Sequence, residues 1–81
     1  QQPLHAITAS YSNQEITLFG TPEAGSHAWL FDIHGRMLGS DYLLAPVYKN
    51  ILPARGLTNG IYLLRIEGKN TRQVLKITVL N

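Results

Sequence analysis

The sequence predicts an all-β domain, an immunoglobulin-like antiparallel β-sandwich of about seven short strands. Two observations predict this fold class. Glycines and prolines interrupt the 81 residues at short intervals, and the segments between them lack helical periodicity. Several of these segments instead alternate polar and apolar side chains, as strands do when they bury one face. A chain of this length forms one domain, so we expect residues 1–81 to be a single unit.

Turn-forming residues divide the chain into the predicted strands. The interruptions contain asparagine, glycine and proline, which favour turns through their backbone geometry and local hydrogen bonds. The segments between them are Leu4–Ser10, Glu15–Phe19, His27–Ile33, Met37–Leu44, Val47–Leu52, Ile61–Ile66 and Gln73–Leu80.

Alternation in the last two predicted strands assigns their buried faces. The side chains that we expect to be largely buried there are Tyr62, Leu64, Ile66, Leu75, Ile77 and Val79. The run Trp29-Leu30-Phe31 is apolar on both faces. It indicates either a central strand covered on both sides or a surface that contacts a partner.

Composition and charge argue against several function classes. The chain has no cysteine, so it has neither disulfides nor a thiolate metal site. Its net charge is +2, and its seven Lys and Arg residues are spread along the chain, which does not favour nucleic-acid binding. No apolar run reaches the roughly 20 residues of a membrane helix. The chain begins at Gln1 and its single methionine is Met37, so we expect it to be excised from a larger precursor.

The titratable residues do not form a recognisable catalytic or metal-binding pattern. Asp32 and His34 would share one face of a strand, but Gly35 marks a turn and no third ligand has a recognisable spacing. Neither a Gly-x-Ser-x-Gly nucleophile pattern nor a phosphate loop is present. We therefore expect no catalytic residues, no cofactor and no metal, and we predict that the domain is not an enzyme.

The segment Asp32-Ile33-His34-Gly35-Arg36 predicts a tight turn between two strands. The aspartate can accept hydrogen bonds from nearby backbone amides, and the glycine can adopt a positive φ at no steric cost. A well-made hairpin turn explains these residues fully, so the segment has little functional specificity by itself.

Three elements in order give the chain a functional interpretation. They are Asp32-x-x-Gly35-Arg36, then Gly56-Leu57-x-x-Gly60-x-Tyr62, then a terminal strand that carries Lys76. This order resembles the type A C-terminal sorting domain of type IX secretion systems (Por secretion systems) of Bacteroidetes. The similarity covers most of the chain from Ile16 onward.

The chain departs from that family in two places. Tyr11-Ser12-Asn13-Gln14 keeps the tyrosine and asparagine of a Tyr-Pro-Asn-Pro-like segment but neither proline. Many members finish on a basic residue, whereas this chain finishes Val79-Leu80-Asn81. These departures concern recognition by the secretion machinery more than the fold.

The resemblance implies a sorting signal that directs its parent protein across the outer membrane. The implied partners are the outer-membrane type IX translocon and a sortase-like protease, which commonly removes such domains. The implied route passes through the periplasm to the outer-membrane surface or the medium, with no nucleic acid and no small-molecule substrate. The sorting-motif residues, structural or recognised directly, are Asp32, Gly35, Arg36, Gly56, Leu57, Gly60, Tyr62 and Lys76.

The sequence is also compatible with other functions. The main alternative is an adhesive or carbohydrate-binding β-sandwich of a secreted protein, in which Trp29, Tyr42 and Tyr48 would form a sugar-stacking platform. A purely structural spacer is a third possibility. The last strand is strongly apolar, so its edge also predicts a homodimer formed by strand pairing.

Overall fold

The computed structural model describes residues 6–81 and confirms the all-β sandwich. This range contains seven strands and no helix. Three strands form one antiparallel sheet, in the order β1-β2-β5, and four form the other, in the order β4-β3-β6-β7. The strands are β1 Thr8–Ser12, β2 Glu15–Phe19, β3 His27–Phe31, β4 Met37–Leu43, β5 Lys49–Pro53, β6 Gly60–Glu67 and β7 Arg72–Val79.

The first strand lies later in the chain than the predicted Leu4–Ser10. Residues 4 and 5 of that segment lie outside the described range, and β1 begins at Thr8 and continues to Ser12. Asn13 and Gln14 then both adopt positive φ, 51° and 63°. Two successive residues of this kind match the twist of the flanking strands, so β1 and β2 form a tight hairpin.

Side-chain hydrogen bonds set two other strand ends. β3 stops at Phe31, before the predicted Ile33, because Asp32 already belongs to the next turn. β5 begins at Lys49 because the side chain of Asn50 binds both backbone groups of Ala45, at 2.9 and 3.0 Å, and so holds the preceding residues in a loop.

Alternate side chains from the two sheets fill the layer between them. Ile16 and Leu18 of β2 are fully buried, as are Leu64 and Ile66 of β6 and Ile77 of β7. Each such side chain contributes about 1.5–3 kcal/mol when it leaves water. In a chain without disulfides, this layer is the main source of stability.

The buried faces predicted for the last two strands are confirmed with one exception. Tyr62, Leu64 and Ile66 are buried in β6, and Ile77 and Val79 are buried in β7. The exception is Leu75, which packs against the core but remains partly exposed.

The β3 strand is an interior strand of its sheet, but it is not covered equally on both sides. Ala28 and Leu30 point into the core and are at most 2% exposed. Trp29 and Phe31 lie on the outer face and are only partly buried. The central-strand interpretation is therefore correct in position, while the expected cover on both faces is incomplete.

β1 packs beside β7 and closes one side of the sandwich. The Ile7 amide donates to Oε1 of Gln73 at 3.1 Å, and the Tyr11 hydroxyl donates to Oδ1 of Asn81 at 3.0 Å. Both contacts join the two sheets beside the strand whose edge was expected to pair with a second copy. The homodimer stays a prediction.

The sandwich has two ends with different connections. Because β3, β6 and β7 are successively antiparallel, the β3–β4 turn, the start of β6 and the end of β7 lie together. The Ala54 amide donates to the Gln14 carbonyl at 2.9 Å, which joins the β1–β2 turn to the β5–β6 loop. We call the end that carries these connections the Tyr62 end.

The opposite end is held by one carboxylate. Oε1 of Glu23 accepts hydrogen bonds from the Asn70 amide at 2.8 Å and from the Thr71 hydroxyl at 3.2 Å. Its Oε2 accepts another from Nδ2 of Asn70 at 2.9 Å. These bonds fasten the β2–β3 loop to the β6–β7 turn.

We predict that Gly20→Ala destabilises the domain more than Gly25→Ala. Both glycines have positive φ, 113° and 82°, so each substitution costs roughly 1–2 kcal/mol of backbone strain. At Gly20 the added Cβ would also collide with the carbonyl oxygen of Ala6, whereas at Gly25 it would meet no atom within 4 Å. Urea unfolding of the two variants measures the difference. Equal losses would contradict the close approach of residues 6 and 20.

Candidate recognition surface

Asp32 organises the β3–β4 turn. Its Oδ1 accepts hydrogen bonds from the backbone amides of His34 at 2.9 Å and Arg36 at 3.0 Å. Its Oδ2 accepts one from Nε of Arg36 at 2.9 Å. The Gly35 amide donates to the Asp32 carbonyl at 3.1 Å, and Gly35 has a φ of 84°. The turn predicted from the sequence is therefore present, with the aspartate and the glycine in the expected roles.

These hydrogen bonds favour the ionised form of the aspartate. The hydrogen bond from the Arg36 amide is the largest influence that lowers the pKa of the Asp32 carboxyl below its usual value. The Arg36 side chain and the His34 amide lower the pKa further. The ionised Asp32 carboxylate therefore holds the backbone of the turn, and the exposed side chain of Arg36 extends from that backbone.

Tyr62 anchors the β5–β6 loop. Its side chain is buried, and its hydroxyl donates to the Thr58 carbonyl at 2.8 Å and lies 3.2 Å from Oγ1 of Thr58. Leu57 packs against the core from the same loop. Gly56 and Gly60 both have positive φ, 79° and 153°. The Gly-Leu-x-x-Gly-x-Tyr spacing thus forms a loop that is held against the core by the hydroxyl of a buried tyrosine.

Asn81 fastens the end of β7 to this loop and to β1. Its amide donates to Oδ1 of Asn59 at 2.8 Å, and its Nδ2 donates to the Leu57 carbonyl at 2.9 Å. Its Oδ1 accepts the hydrogen bond from the Tyr11 hydroxyl. Sequence reasoning did not identify Asn59 or Asn81 as part of the site. Their contacts join residues 22 to 70 positions apart, for which the local sequence gives no signal.

The structure brings seven of the eight sorting-motif residues to one end of the sandwich. Three of the seven, Asp32, Gly35 and Arg36, lie in the β3–β4 turn. The other four lie in the β5–β6 loop and at the start of β6. Lys76 is different, because it lies within β7, opposite Leu63, on the exposed outer face of the four-stranded sheet. The remaining members at the Tyr62 end are Gly56, Leu57, Gly60 and Tyr62.

The three aromatic residues of the sugar-platform hypothesis lie on different surfaces. Trp29 is on the outer face of the four-stranded sheet. Tyr42 packs against the core, and its hydroxyl donates to the Pro53 carbonyl at 2.6 Å. Tyr48 lies against Phe19 of the other sheet, with ring centroids 6.0 Å apart. These three residues therefore do not form one continuous platform.

His27 and His34 lie on different parts of the domain. Nδ1 of His27 lies 2.6 Å from Oδ2 of Asp41 on the outer face of the four-stranded sheet, whereas His34 lies in the β3–β4 turn. His5 lies outside the described residues. Across residues 6–81, no three His, Cys, Asp or Glu side chains are grouped so that they could hold a metal ion. The expectations of no metal and no enzymatic activity stay predictions.

Comparison of the chain with models of protein families, with curated proteins and with solved structures found no match. In the described range, no helix has the length and apolar character needed to cross a membrane.

We predict that the Asp32→Asn variant loses less stability in acid than the wild type. The pKa of Asp32 is lower in the folded state than in the unfolded chain, where it is about 3.9. The ionised carboxylate therefore stabilises the fold fully above that unfolded-state pKa, and this stabilisation disappears as the pH falls through the folded-state pKa. Melting temperatures measured between pH 6 and pH 2 should converge at the acid end. Arg36→Gln should keep most of the acid dependence, because the amide of residue 36 remains. Parallel curves for wild type and Asp32→Asn would contradict the capped turn.

We predict that Tyr62→Phe lowers the free energy of unfolding by about 1 kcal/mol through loss of its hydroxyl hydrogen bond. Tyr11→Phe is the matched control, because the Tyr11 hydrogen bond is exposed and its loss should cost under ~0.5 kcal/mol. Urea unfolding measures both values. A Tyr62→Phe variant as stable as the wild type would mean that the hydroxyl does not hold the β5–β6 loop.

Proposed function

We propose that this domain is a C-terminal sorting signal that directs its parent protein across the outer membrane through a type IX secretion system. The proposal starts from the order Asp-x-x-Gly-Arg, Gly-Leu-x-x-Gly-x-Tyr and a terminal strand with a lysine, which resembles the type A sorting domains. The strongest support is the position of the motifs in the folded domain. Residues from two motifs far apart in sequence lie at one end of the folded domain.

The geometry at the Tyr62 end supports recognition of a folded surface. The Asp32 carboxylate, the Tyr62 hydroxyl and the Asn81 side chain each fix a different connection by hydrogen bonds. A partner that binds this end therefore pays little conformational entropy for ordering loops. Arg36, whose side chain is 77% exposed, is the charged group that the β3–β4 turn presents to such a partner.

The sorting-motif residues divide into two roles in this proposal. Asp32, the glycines, Leu57 and Tyr62 shape the surface, since they are engaged in turn geometry or in the core. Arg36 and Lys76 are exposed and are the residues that the translocon or the sortase-like protease contacts directly. Mutations of the first group should act through folding or loop position, and mutations of the second through recognition alone.

Export of a reporter tests the proposal. Residues 1–81 fused to the C-terminus of a periplasmic reporter should carry it to the surface or the medium of a host with a type IX system. Deletion of Gln73–Asn81 should abolish export, because it removes all of β7 except Arg72 together with the Asn81 contacts. Surface labelling and fractionation measure the outcome.

Substitutions of single exposed residues separate recognition from folding. Lys76→Ala and Arg36→Ala should each cost under ~0.5 kcal/mol of stability, yet reduce export. Lys69→Ala, in the β6–β7 turn at the opposite end, is the control and should be exported normally. A folded, intact domain that leaves the reporter in the periplasm would overturn the sorting assignment and favour a binding module instead.

A further inference from the structure

The outer face of the four-stranded sheet carries an apolar surface that the core does not use. Val74 is 57% exposed there and Ile61 is 47% exposed. A shallow cavity of about 310 Å³ opens between Phe31, Leu63 and Val74. We use the name outer β6 face for three rows of cross-strand neighbours, which are Trp29–Arg65–Val74, Phe31–Leu63–Lys76 and Ile61–Thr78.

The guanidinium group of Arg65 is held in place at the centre of this face. Its central carbon lies 5.4 Å from the centroid of the Trp29 ring and 5.1 Å from that of Phe31. Its Nε lies 3.3 Å from Oε2 of Glu67, and its side chain is still 44% exposed. Two aromatic rings and a carboxylate therefore orient an arginine that a ligand can reach, and its fork of donors suits a carboxylate.

The charges within the outer β6 face have one sign. Arg65 and Lys76 are the charged members of the three rows. Glu67 lies one row beyond, and Arg72 shares it at 3.2 Å. The carboxylate of Asp32, in the adjoining turn, is already occupied by two backbone amides and its own ion pair. The surface is thus complementary to a ligand that combines apolar groups with carboxylates.

The positions of the two cations specify the spacing of those carboxylates. Arg65 pairs with Val74, and Lys76 is two residues further along β7. Such diagonal neighbours on one face of a sheet lie about 7–8 Å apart. Alternate side chains of an extended chain lie roughly 7 Å apart and point the same way.

We propose that the outer β6 face binds an extended acidic segment of a partner protein, with two Asp or Glu residues at alternate positions and apolar residues beyond them. The first carboxylate pairs with Arg65 and the second with Lys76, while the flanking apolar side chains cover Phe31, Leu63 and Val74. Lys76 belongs to both this surface and the sorting proposal, whereas Arg65 and the apolar side chains around it have no role in sorting. Peptide binding by the purified domain is therefore measured separately from export.

The arrangement favours this ligand over two others. A second copy of the same face would add two more cations to an interface whose three rows contain no carboxylate, and like charges across an interface repel. An anionic membrane surface is best met by apolar residues at the centre and cations around them, whereas here Arg65 lies between Trp29 and Val74.

Fluorescence of the purified domain tests the proposal, because Trp29 is its single tryptophan and lies on the proposed surface. The probe is the peptide acetyl-Val-Thr-Glu-Thr-Glu-Thr-Val-amide, which should shift the emission of Trp29 in a saturable way. Its glutamine analogue should bind about tenfold more weakly, because charge-assisted hydrogen bonds are lost. A peptide of equal charge, acetyl-Val-Thr-Glu-Glu-Thr-Thr-Val-amide, should be weaker too, since its carboxylates point to opposite sides.

Variants localise the binding. Arg65→Gln and Lys76→Gln should each lower the affinity of the domain for the alternate-glutamate peptide. Lys69→Gln is the control, because it removes the same charge from the β6–β7 turn, and this variant should bind the peptide like the wild type. Circular dichroism confirms that each variant is folded. Because Lys76 is exposed on β7, its variant tests the proposal even if the Arg65 variant does not fold.

Several results would overturn the proposal. Equal binding of the two acidic peptides, or equal weakening by Lys69→Gln, would reduce the effect to general charge attraction. Equal binding of the glutamine analogue would mean that the surface does not recognise carboxylates. An unchanged spectrum with the alternate-glutamate peptide would exclude the acidic segment. If phosphatidylglycerol vesicles shift the emission of Trp29 and the peptide does not, the face is a membrane contact.

Discussion

Contact between the two sheets across a single apolar layer is the constraint on which the rest of this domain depends. An 81-residue chain buries only about 60–65% of its unfolded surface, and this one has no cysteine to compensate. β2 must therefore present Ile16 and Leu18 inward, and β6 must present Leu64 and Ile66. Since side chains alternate along a strand, fixing these inward positions also fixes which residues face outward. The outer positions of Trp29, Arg65 and Lys76 are a consequence of core packing.

The connections at the Tyr62 end are built on this layer with polar contacts. The buried ring of Tyr62 belongs to the core, while its hydroxyl reaches Thr58 and fixes the β5–β6 loop. Asn81 continues from Val79, a buried residue of β7, and binds the same loop. Asp32 needs no long-range contact, because its turn is closed by its own neighbours. The connections held by Tyr62 and Asn81 therefore depend on the packing of the core, whereas the turn held by Asp32 does not.

Local patterns predicted most of the fold, and long-range contacts account for what they missed. Alternation assigned the inward faces of β6 and β7, and turn chemistry located the role of Asp32, because both depend on residues close in sequence. The contacts of Glu23 with Asn70 and of Tyr11 with Asn81 join positions 47 and 70 residues apart, so they depend on the pairing order of the strands. The outer face of β3 was ambiguous for the same reason, since the side chain over Trp29 comes from another strand.

Residues remote in sequence form one fixed surface at the Tyr62 end, and nuclear Overhauser contacts in solution test this arrangement most directly. We expect contacts between the ring of Tyr11 and the side-chain amide of Asn81, and between the Asn81 amide and the side chain of Asn59. Cross-strand contacts between Leu64 and Leu75 serve as the internal reference, because they depend on the β6–β7 pairing alone. A spectrum that shows the reference contacts but neither of the Asn81 contacts would contradict the claim.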